Sequence, residues 1–258
     1  MNPEITEWED KRVWLVGASS GIGAALARAL LVRGARVALS GRDGLRLLNV
    51  VKGVAGSGDA LILPCDVTEE ASVQRAWKRL LGVWGGVDVA IYLAGDYLPM
   101  HAWALDVKKA QHMIDVNLTG AVRFAACVVP QLLKQGSGHI GFTASVAGYR
   151  GLPRSLIYGP TKAALINFAE ALYLDLSPKG IGVRVINPGF VATPLTAQNE
   201  FAMPALITPE VAAEATIDGL AGHAFEIDYP KRFTRFMKLL ATLPHCLYFP
   251  LVRRLTSH

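Results

Sequence analysis

Val13-Trp14-Leu15-Val16-Gly17-Ala18-Ser19-Ser20-Gly21-Ile22-Gly23 decides the fold class. Val13–Val16 has the length and apolarity of a short buried strand, and it runs straight into a turn that holds three glycines. An amphipathic helical pattern then continues from Gly21 to Arg33. Such a turn lets the backbone reverse tightly and come close to a pyrophosphate, to which the helix N-terminus offers free N–H groups and its positive dipole end. The spacing is GxxxGxG rather than GxGxxG, and the strand–turn–helix setting carries the reading more than the glycines do.

Outward from this stretch, apolar runs of strand length recur at Arg36–Ser40, Leu61–Cys65, Val87–Ala94, His139–Thr143 and Val183–Asn187. Helical patterns lie between them, including Ala104–Lys134, expected to break near Asn117, and Tyr158–Leu176. Thr208-Pro209-Glu210 opens a further helix, with Thr at the N-cap and Pro in the first turn. Near-continuous apolar strands alternating with helices predict an α/β protein with a parallel sheet covered on both faces. The glycine turn after the first strand favours the open, doubly wound, Rossmann-type sheet over a closed barrel. The 258 residues read as one domain, with a core over about 12–222 and an unusual appendage over about 230–258.

Composition narrows the class. Apolar residues make up 52% and charged residues 18%, which excludes intrinsic disorder. Cys65, Cys127 and Cys246 are far apart and form no CxxC pair, which excludes a disulfide scaffold or a zinc ribbon; no metal site is expected. The stretch before the first strand is acidic and lacks the apolar run of a signal peptide, and no stretch reaches about 18 uninterrupted apolar residues. A cytoplasmic protein is expected. The net charge is +5, but Tyr229 to His258 carries six basic residues and no acid, whereas the rest holds 20 basic against 21 acidic side chains. The folded body therefore lacks the positive stripe of a nucleic-acid reader, and no nucleic-acid partner is expected.

The second strand ends Leu39-Ser40-Gly41-Arg42-Asp43. An NAD site usually places an acid at this tip; here Gly41 occupies it and Arg42 follows, where a guanidinium can grip a 2′-phosphate. NADP(H) is therefore expected ahead of NAD(H), with Asp43 read as the N-cap of the next helix. Further on, Tyr158 and Lys162 stand four residues apart, on one helix face. A free phenol has a pKa near 10, and a neighbouring ammonium that lowered it to about 7 would have to supply roughly 4 kcal/mol. A phenol so tuned could exchange a proton with a carbonyl or an alcohol. Ser145 lies thirteen residues upstream, just after the fifth strand and without a GxSxG elbow, so it reads as a holder of substrate oxygen rather than a nucleophile. Asn117 reads either as a break or cap at a helix kink or as the holder of a water that relays protons to Lys162.

These spacings together resemble the short-chain dehydrogenase/reductase family over about residues 12 to 222. The resemblance implies a catalytic tetrad of Asn117, Ser145, Tyr158 and Lys162. It makes Gly17, Gly21 and Gly23, with Ser19, Ser20 and Ile22 between them, the pyrophosphate loop, and Asp66 and Val67 the adenine contacts. Ala94 and Gly95 would let the backbone approach the cofactor ribose, with Tyr158 and Lys162 also contributing. Pro188 and Gly189 would stand beside the nicotinamide, with Val191 and Thr193 near its carboxamide. Two stretches depart from the family pattern: Val16 replaces a usual Thr, and Tyr92-Leu93 replaces Asn-Asn before Ala94-Gly95.

The expected activity is an NADP-dependent interconversion of a carbonyl and a secondary alcohol. Leu195, Phe201, Met203 and Leu206, in the lid-like stretch 190–206, read either as the lining for a small apolar substrate or, taken singly, as packing of that stretch on the body. The competing readings are epimerisation or dehydration on a related fold, and a catalytically silent dinucleotide-binding sensor or scaffold. A homodimer or homotetramer is expected. In residues 231–258, Phe233, Phe236, Met237 and Leu240 recur at helical spacing, while Pro244 and Pro250 are expected to break any continuous helix. Packing of this segment on the body or on a second subunit is expected ahead of peripheral contact with an anionic membrane.

Overall fold

Strand β1 (Arg12–Val16) sends alternate side chains to opposite sides, Val13 and Leu15 into one core and Trp14 and Val16 into another. This two-sided burial is repeated along the sheet and explains why its strands read as continuous apolar runs. The structure, a computed structural model, describes residues 1–54, 60–198 and 201–256. After β1 come α1 (Gly21–Val32), β2 (Arg36–Gly41), α2 (Gly44–Val51), β3 (Ala60–Pro64) and α3 (Glu70–Trp84). The chain continues through β4 (Val89–Tyr92), α4 (Val107–Ile114), α5 (Gly120–Gln135), β5 (His139–Thr143) and α6 (Tyr158–Leu176). It ends with β6 (Gly182–Pro188), α7 (Pro209–Leu220), β7 (Glu226–Tyr229), α8 (Lys231–Thr242) and α9 (His245–Thr256).

The described strands form one parallel sheet in the order β3-β2-β1-β4-β5-β6-β7. Helices α1, α2 and α7 cover one face; α3, α5 and α6 cover the other. This is the doubly wound Rossmann-like fold in a single domain. Strand order reverses between β1 and β4, so their carboxyl ends splay apart into the crevice where such folds bind ligands.

Four expectations need correction. The fourth strand stops at Tyr92, because Leu93 and Ala94 leave the ladder to wall the crevice. Strand β7 was not foreseen: its residues, Glu226-Ile227-Asp228-Tyr229, alternate acid with apolar, and the acids are answered by cations from α8. The helical path from Val107 to Gln135 does not break near Asn117; it widens into one π turn over Asp115–Thr119 and continues. Pro250 does not end a helix either: it lies inside α9, where its missing N–H costs a single bond, whereas Pro244 does separate α8 from α9. By length and hydropathy the Val107–Gln135 path is the one described helix sufficient to cross a membrane, yet Phe124, Val128 and Leu132 are core residues of the fold.

Three devices secure the amino ends of the strands. Arg12 and Asp88 form a forked ion pair, Nη2 to Oδ1 at 2.7 Å and Nε to Oδ2 at 3.0 Å, and the Arg12 amide also donates to Asp88. Asn2 is buried and pairs with both polar backbone groups of Val183, at 2.8 and 2.9 Å. Buried Arg184 gathers the carbonyls of Pro3, Gly222 and Ala224 around its guanidinium.

Candidate active site

A cleft of about 430 Å³ runs along the carboxyl ends of the strands. Its first wall is the turn after β1. Gly17 adopts φ +99°, and a Cβ there would stand 2.4 Å from the Ala94 amide nitrogen, so only glycine lets the β1 and β4 ends approach this closely. A Cβ on Gly23 would meet the Gly17 carbonyl at 2.3 Å, so the first turn of α1 is pressed against the loop. Ser19, Ser20, Gly21 and Ile22 complete this wall, with the α1 N-terminus behind them.

The nucleotide end of the cleft is lined by Arg42, Asp66 and Val67. Asp43 caps α2, its carboxylate accepting from the Leu45 and Arg46 amides, as the sequence suggested. Burial works to raise the Asp66 carboxyl pKa, but bonds from the Thr68 hydroxyl and amide, with the charges of Arg42 and His112, bring it below the usual range. Arg46 also lines the cleft and was missed; its signal was its spacing of four from Arg42 across the first turn of α2.

Ser145 follows β5, and Tyr158 opens α6, where Ser145 acts on its phenol and pulls the pKa down. Lys162, one turn further along and 3% exposed, donates from Nζ to the Thr143 carbonyl at 2.8 Å and lies 5.6 Å from the centre of the Tyr158 ring. Tyr97, unforeseen, sets its ring edge-on to Tyr158 at 4.9 Å. Nothing in its sequence surroundings marked it.

Two opposing influences act on the Tyr158 phenol. Burial pushes the phenol up to about 12, with Ser145 pulling it down and Tyr97 adding to the rise. Burial likewise pulls Lys162 down to about 8. Desolvation, which opposes charge on either group, outweighs the tuning inferred from spacing alone.

Asn117 lies outside the cleft lining, fully buried in the π turn. Its amide donates to the Asp96 carbonyl at 2.9 Å and to Thr161 Oγ1 at 3.1 Å, and its Oδ1 accepts from the Asp96 amide at 2.7 Å. Thr161 in turn donates to the Tyr158 carbonyl at 2.7 Å. Asn117 thus ties the loop after β4 to the first turn of α6. Tyr92, which stands where the family has Asn, supplies its own brace: its hydroxyl donates to the Val116 carbonyl at 2.6 Å and holds the π turn against β4. Val16 is a core residue.

Ala94, Gly95, Pro188, Gly189, Val191 and Thr193 line the same cleft as Ser145, Tyr158 and Lys162. Gly95 stands at its centre: a Cβ there would be 3.6 Å from Lys162 Nζ and 3.7 Å from Asn117 Oδ1. Among the described residues no cluster of His, Cys, Asp or Glu has the arrangement of a metal site.

The sequence pattern of the short chain dehydrogenases matches residues 11–203. The chain belongs to the short-chain dehydrogenase/reductase family. An uncharacterized oxidoreductase of Myxococcus xanthus is 33% identical to this dehydrogenase over 253 residues, 97% of this chain and 100% of the relative. Another, of Staphylococcus saprophyticus, is 34% identical over 218 residues, covering 84% and 93%. A short chain dehydrogenase from Burkholderia cenocepacia, solved in complex with NADP, superposes with a TM-score of 0.83 at 25% identity over 95% of this chain and 99% of its own. A 3-ketoacyl-(acyl-carrier-protein) reductase from Brucella melitensis complexed with NADH gives 0.79 at 24% identity over 86% and 98%, a likeness of fold. This protein is thus an oxidoreductase of a family that uses NAD(P)(H) and acts on small substrates.

Proposed function

We propose that this dehydrogenase interconverts a carbonyl and a secondary alcohol on a small apolar substrate, with NADP(H) as its cofactor. The observation that carries the reading is the grouping of Ser145, Tyr158 and Lys162 on the same cleft as the Gly17–Gly23 turn. The residues present fit a nicotinamide dinucleotide. The glycine cradle is one that a Cβ would fill, two arginines stand at the nucleotide end, and the buried Thr143 hydroxyl, on the cleft, meets no partner among the described residues. Arg42 and Arg46 together suit a 2′-phosphate, which supports NADP(H) over NAD(H). When bound, the dinucleotide supplies or accepts the hydride.

The chain's own residues handle the oxygen and its proton. Ser145 holds the substrate oxygen beside the Tyr158 phenol, and Tyr158 gives that oxygen its proton. Burial raises the pKa of the phenol, so the protonated form that gives the oxygen its proton is the one at hand. The Lys162 ammonium stabilises the phenolate left behind. That assistance is present below about pH 8 and is lost above it, as Lys162 gives up its proton. Asn117 acts as a positioning residue through Asp96 and Thr161. Behind Gly189 and Val191 of the cleft, Phe190 packs edge-on to Phe201 at 5.8 Å and beside Phe233 at 5.5 Å. Val191, Pro194 and Leu195, on the cleft itself, suit an apolar substrate.

The test is NADPH absorbance with a panel of ketones and aldehydes, run from pH 6 to 10. The expected result is consumption that falls as pH rises through about 8. Tight NADPH binding with no consumption for any substrate would overturn the reading in favour of a silent dinucleotide binder.

A further inference from the structure

The segment after Pro230 folds into two helices, each of which uses one face on the body. Thr234, Met237 and Leu240 of α8 and Tyr248 and Val252 of α9 are buried. The Tyr248 hydroxyl donates to the Gly151 carbonyl at 2.6 Å, and Arg150 donates to the Ala241 carbonyl at 2.9 Å while lying 4.0 Å from the Tyr248 ring centre. Lys231 and Lys238 are paired with Asp228 and Glu226. Packing on the body therefore accounts for the inner faces. It does not account for the outer ones.

On α8, Arg232, Arg235, Phe236 and Leu239 follow the i, i+3, i+4, i+7 spacing of a single stripe, and all four are exposed, Leu239 at 66%. On α9, Leu247, Leu251 and Leu255 repeat every four residues, all exposed, with Arg254 beside them. A helix whose apolar side is already spent on the core should be polar outside; these present phenylalanine, leucine and arginine instead. That mixture is the outer surface of an interfacial helix.

We infer that the outer faces of α8 and α9 form a docking surface for an anionic lipid bilayer. Charge selects this occupant over a second copy of the chain. Lys231 and Lys238 are spent on the body, but Arg232, Arg235 and Arg254 are exposed and residues 229–258 hold no acid, so closing the face on its own image across a two-fold axis sets arginine against arginine. A bilayer with anionic headgroups supplies both the counter-charge and the apolar layer that the leucines and Phe236 need. Each helix is only twelve residues long and Pro244 separates them, so the segment lies on the membrane rather than crossing it. Phe233, from α8, packs on Phe190 beside Gly189 of the cleft, so docking brings the cleft wall to the lipid. The inference goes beyond the proposed reaction and does not depend on it.

The experiment is co-sedimentation of the full chain with phosphatidylcholine vesicles, with and without phosphatidylglycerol, at low and high salt. Expected is pelleting only with phosphatidylglycerol, weakening with salt. Two variants, Arg232→Glu with Arg235→Glu and Phe236→Ser with Leu239→Ser, each lower vesicle partitioning at least about tenfold. All four positions are exposed, and circular dichroism checks that both variants fold. Protein that stays in the supernatant at low salt overturns the inference, as does pelleting that neither variant reduces. A dimer by light scattering that the Phe236→Ser, Leu239→Ser variant splits also overturns it and assigns the face to a subunit interface.

Discussion

The two ends of the same seven strands are built for different purposes. At the amino ends, charged and polar groups are spent on one another: Arg12 on Asp88, Asn2 on Val183, Arg184 on a ring of carbonyls. At the carboxyl ends, the glycine turn, Arg42, Thr143 and the Ser145–Tyr158–Lys162 group line a cleft. The first end spends most of its polar groups internally, although His139 Nδ1 and Arg184 Nε are buried without a partner among the described residues. The other end turns its donors and cations into a cleft. The lesson is that stability and chemistry are separable along the strand axis, within a distance of about five residues.

The sharpest way to break this division is Tyr158→Phe. We expect at least a ~100-fold loss of turnover, the scale of a missing acid/base group, with the unfolding free energy and NADPH affinity nearly unchanged. A variant with near-normal turnover removes the phenol from the chemistry. Next, Arg42→Ala should weaken NADPH binding by about 1.5–3 kcal/mol and leave NADH binding almost untouched, as read by fluorescence titration. Equal losses would make Arg42 structural. At the opposite edge, Asp88→Ala should cost about 2 kcal/mol in urea unfolding, because a partly buried guanidinium loses its forked partner, while kcat is retained.

His139 supplies the pH arm of the comparison. It sits at the amino end of β5, and burial, helped by Arg184, holds its imidazole down at about 4. An unfolded histidine titrates near 6.5, so between those values the unfolded chain binds a proton that the folded chain refuses. Stability should therefore fall as pH drops from about 6.5 towards 4, by about 2 kcal/mol at pH 5, and the slope should flatten in His139→Gln. Under the proposed reaction, in which the Lys162 ammonium assists, activity should respond in the alkaline range instead. The smallest effect is expected for Tyr92→Phe: about 1 kcal/mol, from the loss of the bond to the Val116 carbonyl.

Much of the fold was legible because buried parallel strands advertise themselves: β1, β2, β5 and β6 fall within a residue or so of their apolar runs. The grouping of Gly17, Ser145, Tyr158 and Lys162 on one cleft was legible for a related reason, since Gly17 and Ser145 come just after strands, Tyr158 opens a helix and Lys162 lies one turn along it. What was not legible depends on neighbours distant in sequence. Glu226 and Asp228 hid β7, because their partners come from α8. The phenol's high pKa comes from burial and Tyr97, which no spacing rule contains. The π turn keeps helical hydrogen bonding through a position that reads as a break. For the tail, packing and membrane contact seemed to be alternatives, whereas the helices have two faces and only the inner one meets the body.

The pairing of Asn2 with Val183 spans 181 positions. Contacts of that separation are the slow ones to form, since the whole intervening loop has to be ordered before they contribute. On a ribosome, about 10–40 s of synthesis separates the two residues at ordinary elongation rates. Asn2 and the residues after it therefore wait without their partner while β1 to β5 emerge, and only the arrival of β6 and the turn before β7 closes that edge. Residue 2 cannot take up this pairing until residue 183 has been made.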